Sequence, residues 1–203
     1  MTAPEIAEKA ANRIAEATAA IAGAAALLRR RLAHFRADRR GVSALEFALT
    51  LPVMLGLYLG SAEVTQGITI QRKVTLAART IADLASQNPS ITSAQMTNIL
   101  NAGSAIIAPY PSASLAETIS EVAIDGSGNA TVAWSVTLNG TALTVGQPVT
   151  VPSTLAVPNS YLILGQASYS YNPTYGYVLT NTLSLTDQYF MRPRQSNSVA
   201  YSG

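Results

Sequence analysis

Between Val42 and Gly60 the chain reads VSALEFALTLPVMLGLYLG, nineteen residues of which only Glu46 is ionisable. As a helix rising 1.5 Å per residue, such a run spans about 28 Å, close to the hydrocarbon thickness of a bilayer. It reads as a membrane segment and divides the chain into a short N-terminal part and a long C-terminal part on opposite sides of the bilayer. Arg39-Arg40-Gly41 stand immediately before it, and six arginines fall between Arg29 and Arg40. Only Arg72, Lys73 and Arg79 lie near its other end. The positive-inside rule then places residues 1–41 in the cytoplasm and everything beyond Ser61 outside.

An earlier apolar stretch, Ala17 to Leu28, competes for the role of export signal. It is mostly alanine and too short to span, and Arg29-Arg30-Arg31 come directly after it. If it led export, that cluster would lie on the far side of the membrane, against the positive-inside rule. It reads instead as part of an alanine-rich cytoplasmic helix from about Pro4 to Arg36.

Charge is split along the chain. The formal total of +2 conceals eight basic and four acidic residues in 1–41 against five and seven in 42–203. The basic character belongs to the leader, and a nucleic-acid partner loses its support. Charged residues make up 12% of the chain, against roughly 25% in ordinary globular domains. From Ser86 onward Ser, Thr, Asn, Ala, Val, Leu and Tyr dominate, which suits an exported, strand-forming domain. With no cysteine there is neither a disulfide framework nor thiolate chemistry. The one histidine, His34, lies in the leader, so none remains after residue 41 to act as base or metal ligand. No catalytic or metal-ligand spacing appears there, and Glu117 and Glu121 stand as an isolated acidic pair in an expected strand. Neither cofactor nor metal is expected, and the chain does not read as an enzyme.

Two residues inside the apolar run bear on function. Glu46 lies about one turn from the interface. A carboxylate within a bilayer marks a functional site by default, yet one so placed can also snorkel and favour the positive end of its helix. Pro52 removes the amide bond to the carbonyl of Ala48 and should kink the helix, which membrane helices tolerate when a hydroxyl such as that of Thr50 compensates.

With these residues in view, the chain resembles the TadE-like family, pseudopilins of the tight-adherence (Flp) pilus system. The resemblance rests on Arg39-Arg40-Gly41 followed by VSALEFALTLPVMLGLYLGSAEV, with Glu46 fifth after the glycine, and extends more loosely to Ile81–Ser86. Trp134-Ser135, Ser168 to Pro173 and Met191-Arg192-Pro193-Arg194 also fit. Relatives often carry tyrosine after the glutamate, where this chain has Phe47. The resemblance implies cleavage after Gly41 by a membrane-embedded prepilin peptidase, leaving Val42 as the mature N-terminus. It further implies that Glu46 meets the N-terminal ammonium of a neighbouring subunit and sets register during assembly. The implied partners are the peptidase, other pilin subunits, the pilus assembly machinery and membrane lipid. The implied location is the inner membrane, single-pass, with the C-terminal domain in the periplasm or carried into a fibre. An uncleaved scaffold of a secretion machine and, more remotely, an anchored envelope enzyme remain the alternatives.

Beyond the membrane, Ile70, Val74, Ala77, Ile81 and Leu84 recur at helical spacing, and Asn88-Pro89 supply a stop. The helix expected from Val42 to about Gln87 would be about 69 Å long, and its seam is expected to pack on the protein's own sheet. A second helix, capped by Thr92 or Ser93, is expected over Ala94–Ile107 before Pro109 and Pro111. Period-two patterning then predicts strands over Leu115–Ile124, Thr131–Leu138, Tyr161–Tyr171 and Tyr177–Leu185. Asn139-Gly140 predicts a tight turn and 146–159 a loop. The Asp125 to Asn129 segment approximates an Asp-x-Ser-x-Ser metal-adhesion motif but reads more simply as a hairpin turn. Tyr169, Tyr171, Tyr175 and Tyr177 alternate on one face, for cross-strand packing or for adhesion. Arg192-Pro193-Arg194 reads as a solvated tail. The expected architecture is α+β and pilin-like: leader 1–41, transmembrane segment 42–62, helix extension 63–89 and an α+β domain 90–203.

Overall fold

A computed structural model describes residues 18–20, 22–33, 40–173 and 181–203. The fold is α+β, and the chain divides into two compact units at Gly56/Leu57. In the first, residues 18–20 and 22–33 are helical, the longer run being α1, as the alanine-rich pattern predicts, and Arg29, Arg30 and Arg31 lie on α1. The remainder of the expected leader helix, including His34 and Arg36, lies outside the described residues. Helix α2, Arg40–Ser86, begins in this unit and contains Pro52.

In the second unit α2 changes character. Ile70, Val74, Ala77, Ala78, Ile81, Ala82 and Ala85 are buried, and the expected seam packs on the protein's own sheet rather than forming a coiled coil. Only Leu84 departs, being half-buried at its edge. Closest approach comes at Gly165, where an added Cβ would sit 2.4 Å from the carbonyl oxygen of Ala78 and 2.9 Å from Ala82 Cβ. Glycine there lets helix backbone and strand backbone nearly touch.

After Asn88-Pro89 come a short strand β1 (Ser90–Thr92) and helix α3 (Ser93–Ile106). Thr92 is the N-cap of a capping box: its hydroxyl accepts from the Gln95 amide and Gln95 Oε1 accepts from the Thr92 amide. Four antiparallel strands complete the sheet: β2 (Leu115–Ile124), β3 (Ala130–Leu138), β4 (Ser160–Tyr171) and β5 (Leu183–Met191), in spatial order β3-β2-β4-β5. The β2–β3 register shifts by a bulge at Glu121/Val122. The last predicted strand is displaced. It runs over Leu183–Met191 rather than Tyr177–Leu185, and 174–180 lie outside the described residues. Leu185 and Asp187 are its half-buried alternate positions, a pattern that the charge at Asp187 obscures.

The sheet has two covered areas. One face packs on α2 and α3. On the other, the 139–159 loop folds back so that Leu143, Val149, Val151 and Leu155 cover Val122, Ile124, Leu162 and Leu164. Asn139 enters that loop at φ 55° and donates from Nδ2 to the Leu115 carbonyl.

Residues 192–194 are not a free tail. The Arg194 amide donates to the Ser86 carbonyl at 2.9 Å, capping α2, and its guanidinium pairs with Asp83. Beyond it Val199 is buried, and strand β6 (Ala200–Ser202) pairs parallel with β1. A free helix-end carbonyl and an exposed strand edge are thereby both satisfied.

Candidate functional site

Gly41 and Val42 lie on α2, and among the described residues nothing is within 4 Å of where a Cβ on Gly41 would lie. Every residue from Gly41 to Tyr58 is exposed, including Val42, Phe47, Leu49, Val53, Met54 and Leu57. Water penalises so much uncovered hydrocarbon, whereas lipid does not. Glu46 lies on this helix one turn after Gly41, and among the described residues none ion-pairs with it. Thr50 Oγ1 donates to the carbonyls of Glu46 (3.0 Å) and Phe47 (3.2 Å). That is the hydroxyl expected near Pro52, though it serves the turn before the carbonyl of Ala48. Arg39 lies outside the described residues.

Further along α2, hydroxyls fold back in the same way. Ser61 donates to Tyr58 O, Thr65 to Ser61 O and Thr69 to Thr65 O, each at 2.8 Å. Such back-bonding presents methyl and methylene groups outward and leaves few donors unmet.

Three carboxyl groups are buried where the sequence alone does not announce it: Glu63, Glu117 and Glu121 are 1%, 0% and 4% exposed. Glu117 and Glu121 share one face of β2 with Leu115 and Ile119, and strict alternation would have placed them inward. Glu121 Oε1 accepts the Val199 amide at 2.6 Å. Burial pushes its carboxyl upward, while bonds from Val199 and Trp134 pull the other way. Glu117 Oε2 accepts from Ser104 Oγ at 2.7 Å, and Oε1 is buried with no hydrogen-bond partner. Burial pushes Glu117 up to about 7, against the lowering effect of Ser104.

The remaining expectations resolve locally. Asp125 forms the hairpin turn. Its Oδ1 accepts the amides of Ser127 and Asn129, both at 2.8 Å, and its Oδ2 accepts Asn129 Nδ2 at 3.0 Å. These bonds hold its carboxyl below the usual range. Tyr169 and Tyr171 are buried in the core beside α2, so neither forms an adhesive face. The Tyr171 hydroxyl donates to Glu63 O and Gln66 Oε1. Tyr175 and Tyr177 lie outside the described residues.

These features define an α+β protein with, among the described residues, one helix long and apolar enough to cross a membrane. Residues 41–83 match the model of the TadE-like protein family. The match is to α2 and leaves 84–203 beyond it. No curated protein and no solved structure gives a significant match.

Proposed function

We propose that this chain is a minor pilin or pseudopilin supporting assembly of a tight-adherence pilus, released from its leader by prepilin peptidase after Gly41. The observation that carries this reading is the family match over residues 41–83 to a helix whose apolar residues 42–58 are uncovered. Arginines before Gly41 hold the junction at the cytoplasmic face, where anionic lipids attract them. Glycine has low helical propensity, so the backbone at Gly41 opens readily for a peptidase. Glu46 then sits one turn from the new ammonium at Val42, placed to pair with the terminus of an adjacent pilin subunit. Pro52 supplies a bend in the packed helix. The protein resides in the inner membrane with its N-terminus cytoplasmic and residues beyond Ser61 periplasmic, in contact with lipid and the assembly machinery.

The test is the N-terminal residue and intact mass of protein recovered from native membranes. A start at Val42 is the expected result. A start at Met1 overturns processing and leaves an uncleaved scaffold. Gly41→Leu should retain the precursor mass and abolish piliation. Glu46→Ala should leave cleavage intact while reducing fibres, and normal fibres would remove Glu46 from assembly.

A further inference from the structure

We propose that Glu117 is a proton-dependent latch between β2 and α3, holding the helix down when its carboxyl is protonated and loosening it when ionised. The latch is independent of the processing proposed above.

Its geometry is a tight cradle. α3 presents Gly103 so closely that a Cβ there would lie 2.0 Å from Glu117 Oε1 and 2.6 Å from Ile81 Cγ2. Ser104, the next residue of α3, supplies the single hydrogen bond, to Oε2. Oε1 is buried and, among the described residues, faces no donor. Such a cradle suits an uncharged group, whereas a buried anion with one donor and no cation is poorly compensated.

Among the described residues no cation pairs with it. α3 and β3 carry no ionisable residue. On α2, Lys73 Nζ donates to the carbonyls of Ile106 (2.9 Å) and Ala108 (2.7 Å), Arg79 lies over the Tyr189 ring, and Asp83 pairs with Arg194. On β4, Tyr169 bonds with Ser114. Asp187 of β5 accepts from Thr75, and Glu121 of β2 accepts the Val199 amide.

The element that yields is α3. Strand β2 is paired along both edges, to β3 and β4, whereas α3 is held by Met96, Ile99, Leu100 and Gly103 on one face. Lifting α3 admits water to Oε1 at the smallest loss of structure. The docked state binds the proton more tightly than the lifted one. Opening therefore becomes tenfold more favourable per pH unit between the ordinary value of 4.5 and about 7, then levels off.

Hydrogen–deuterium exchange of the α3 amides tests this, on the full chain in detergent micelles at pH 5 and pH 8, corrected for intrinsic exchange. The wild-type opening constant should rise about 70-fold between pH 5 and pH 8, the part of the span between those two proton affinities that this window covers, while Glu117→Gln should show no rise. An equal rise in both proteins, or none in the wild type, overturns the latch. Carboxyl titration of 13C-glutamate-labelled wild-type protein decides the matter without any variant. A midpoint near 7 for Glu117 is expected, and an ordinary glutamate midpoint overturns the proposal.

Discussion

Gly165→Ala should be among the most damaging single-methyl additions in this protein. The new Cβ would fall 2.4 Å from Ala78 O, 2.9 Å from Ala82 Cβ and 3.1 Å from Ala82 N. Two of these are helix backbone atoms, which no rotamer change can move. Reaching an ordinary contact requires α2 and β4 to part by roughly 1 Å, a gap that forfeits up to about half of each dispersion contact along the seam. The buried seam includes Ala77, Ala78, Ile81 and Ala82, so the loss lands at the upper end for overpacking, about 3 kcal/mol. For a unit of about 150 residues this lowers Tm by about 10 °C. Trp134, the lone tryptophan, gives the readout: its fluorescence, with circular dichroism, tracks thermal unfolding of the full chain in micelles. Gly67→Ala is the matched control. Its Cβ would meet nothing nearer than Tyr171 Cε1 at 3.7 Å. The same methyl there should raise stability by up to about 1 kcal/mol through helix propensity alone. A Gly165→Ala protein melting within about 2 °C of wild type would refute the packing argument, as would equal shifts in both variants.

Two smaller effects are expected at the ends of α3 and α2. Thr92→Ala removes half of the capping box and should cost about 1 kcal/mol, seen as faster amide exchange confined to the first turn of α3. Arg194→Ala breaks an ion pair whose side chains are 54% and 32% exposed; urea unfolding should show a change below about 1 kcal/mol that fades with salt, because the residue 194 amide still caps Ser86.

Much of this fold is legible in the sequence because single-element patterns survive packing. The seam from Ile70 to Ile81, the cap at Thr92 and the alternation of Leu115–Ile124 each report a local rule that the tertiary structure obeys. The apolar segment is equally visible, since Glu46 and Gly41 stand out against an uncharged run. Contacts between distant residues are the part that local patterns hide. Arg192-Pro193-Arg194 looks like a solvated tail because nothing local reveals that Ser86 has a carbonyl waiting for an amide more than a hundred positions away. Glu117 and Glu121 read as an isolated acidic pair because charge overrides the alternation that places them inward. The burial of Tyr169 and Tyr171 is likewise undecided in sequence, as a tyrosine face serves a core or a surface equally well.

The docking of the C-terminal strand has a consequence for how the protein is made. Val199 enters the core beside Ile91 and Met96, and β6 closes on β1 from the far end of the chain. An N-terminal-first emergence, whether from a ribosome or through a translocation channel, would present α2, α3 and the β2–β3 hairpin early. Until residues 194–202 emerge, the Ser86 carbonyl and the β1 edge lack their partners and the Glu121 carboxyl lacks the Val199 amide. Long-range closure of this kind is the slow step of folding. The intermediate that precedes it exposes an unpaired edge of the sort that other chains can capture. Completion of this domain therefore waits on residues 194–202, and a chain stalled before them is the form most in need of a chaperone.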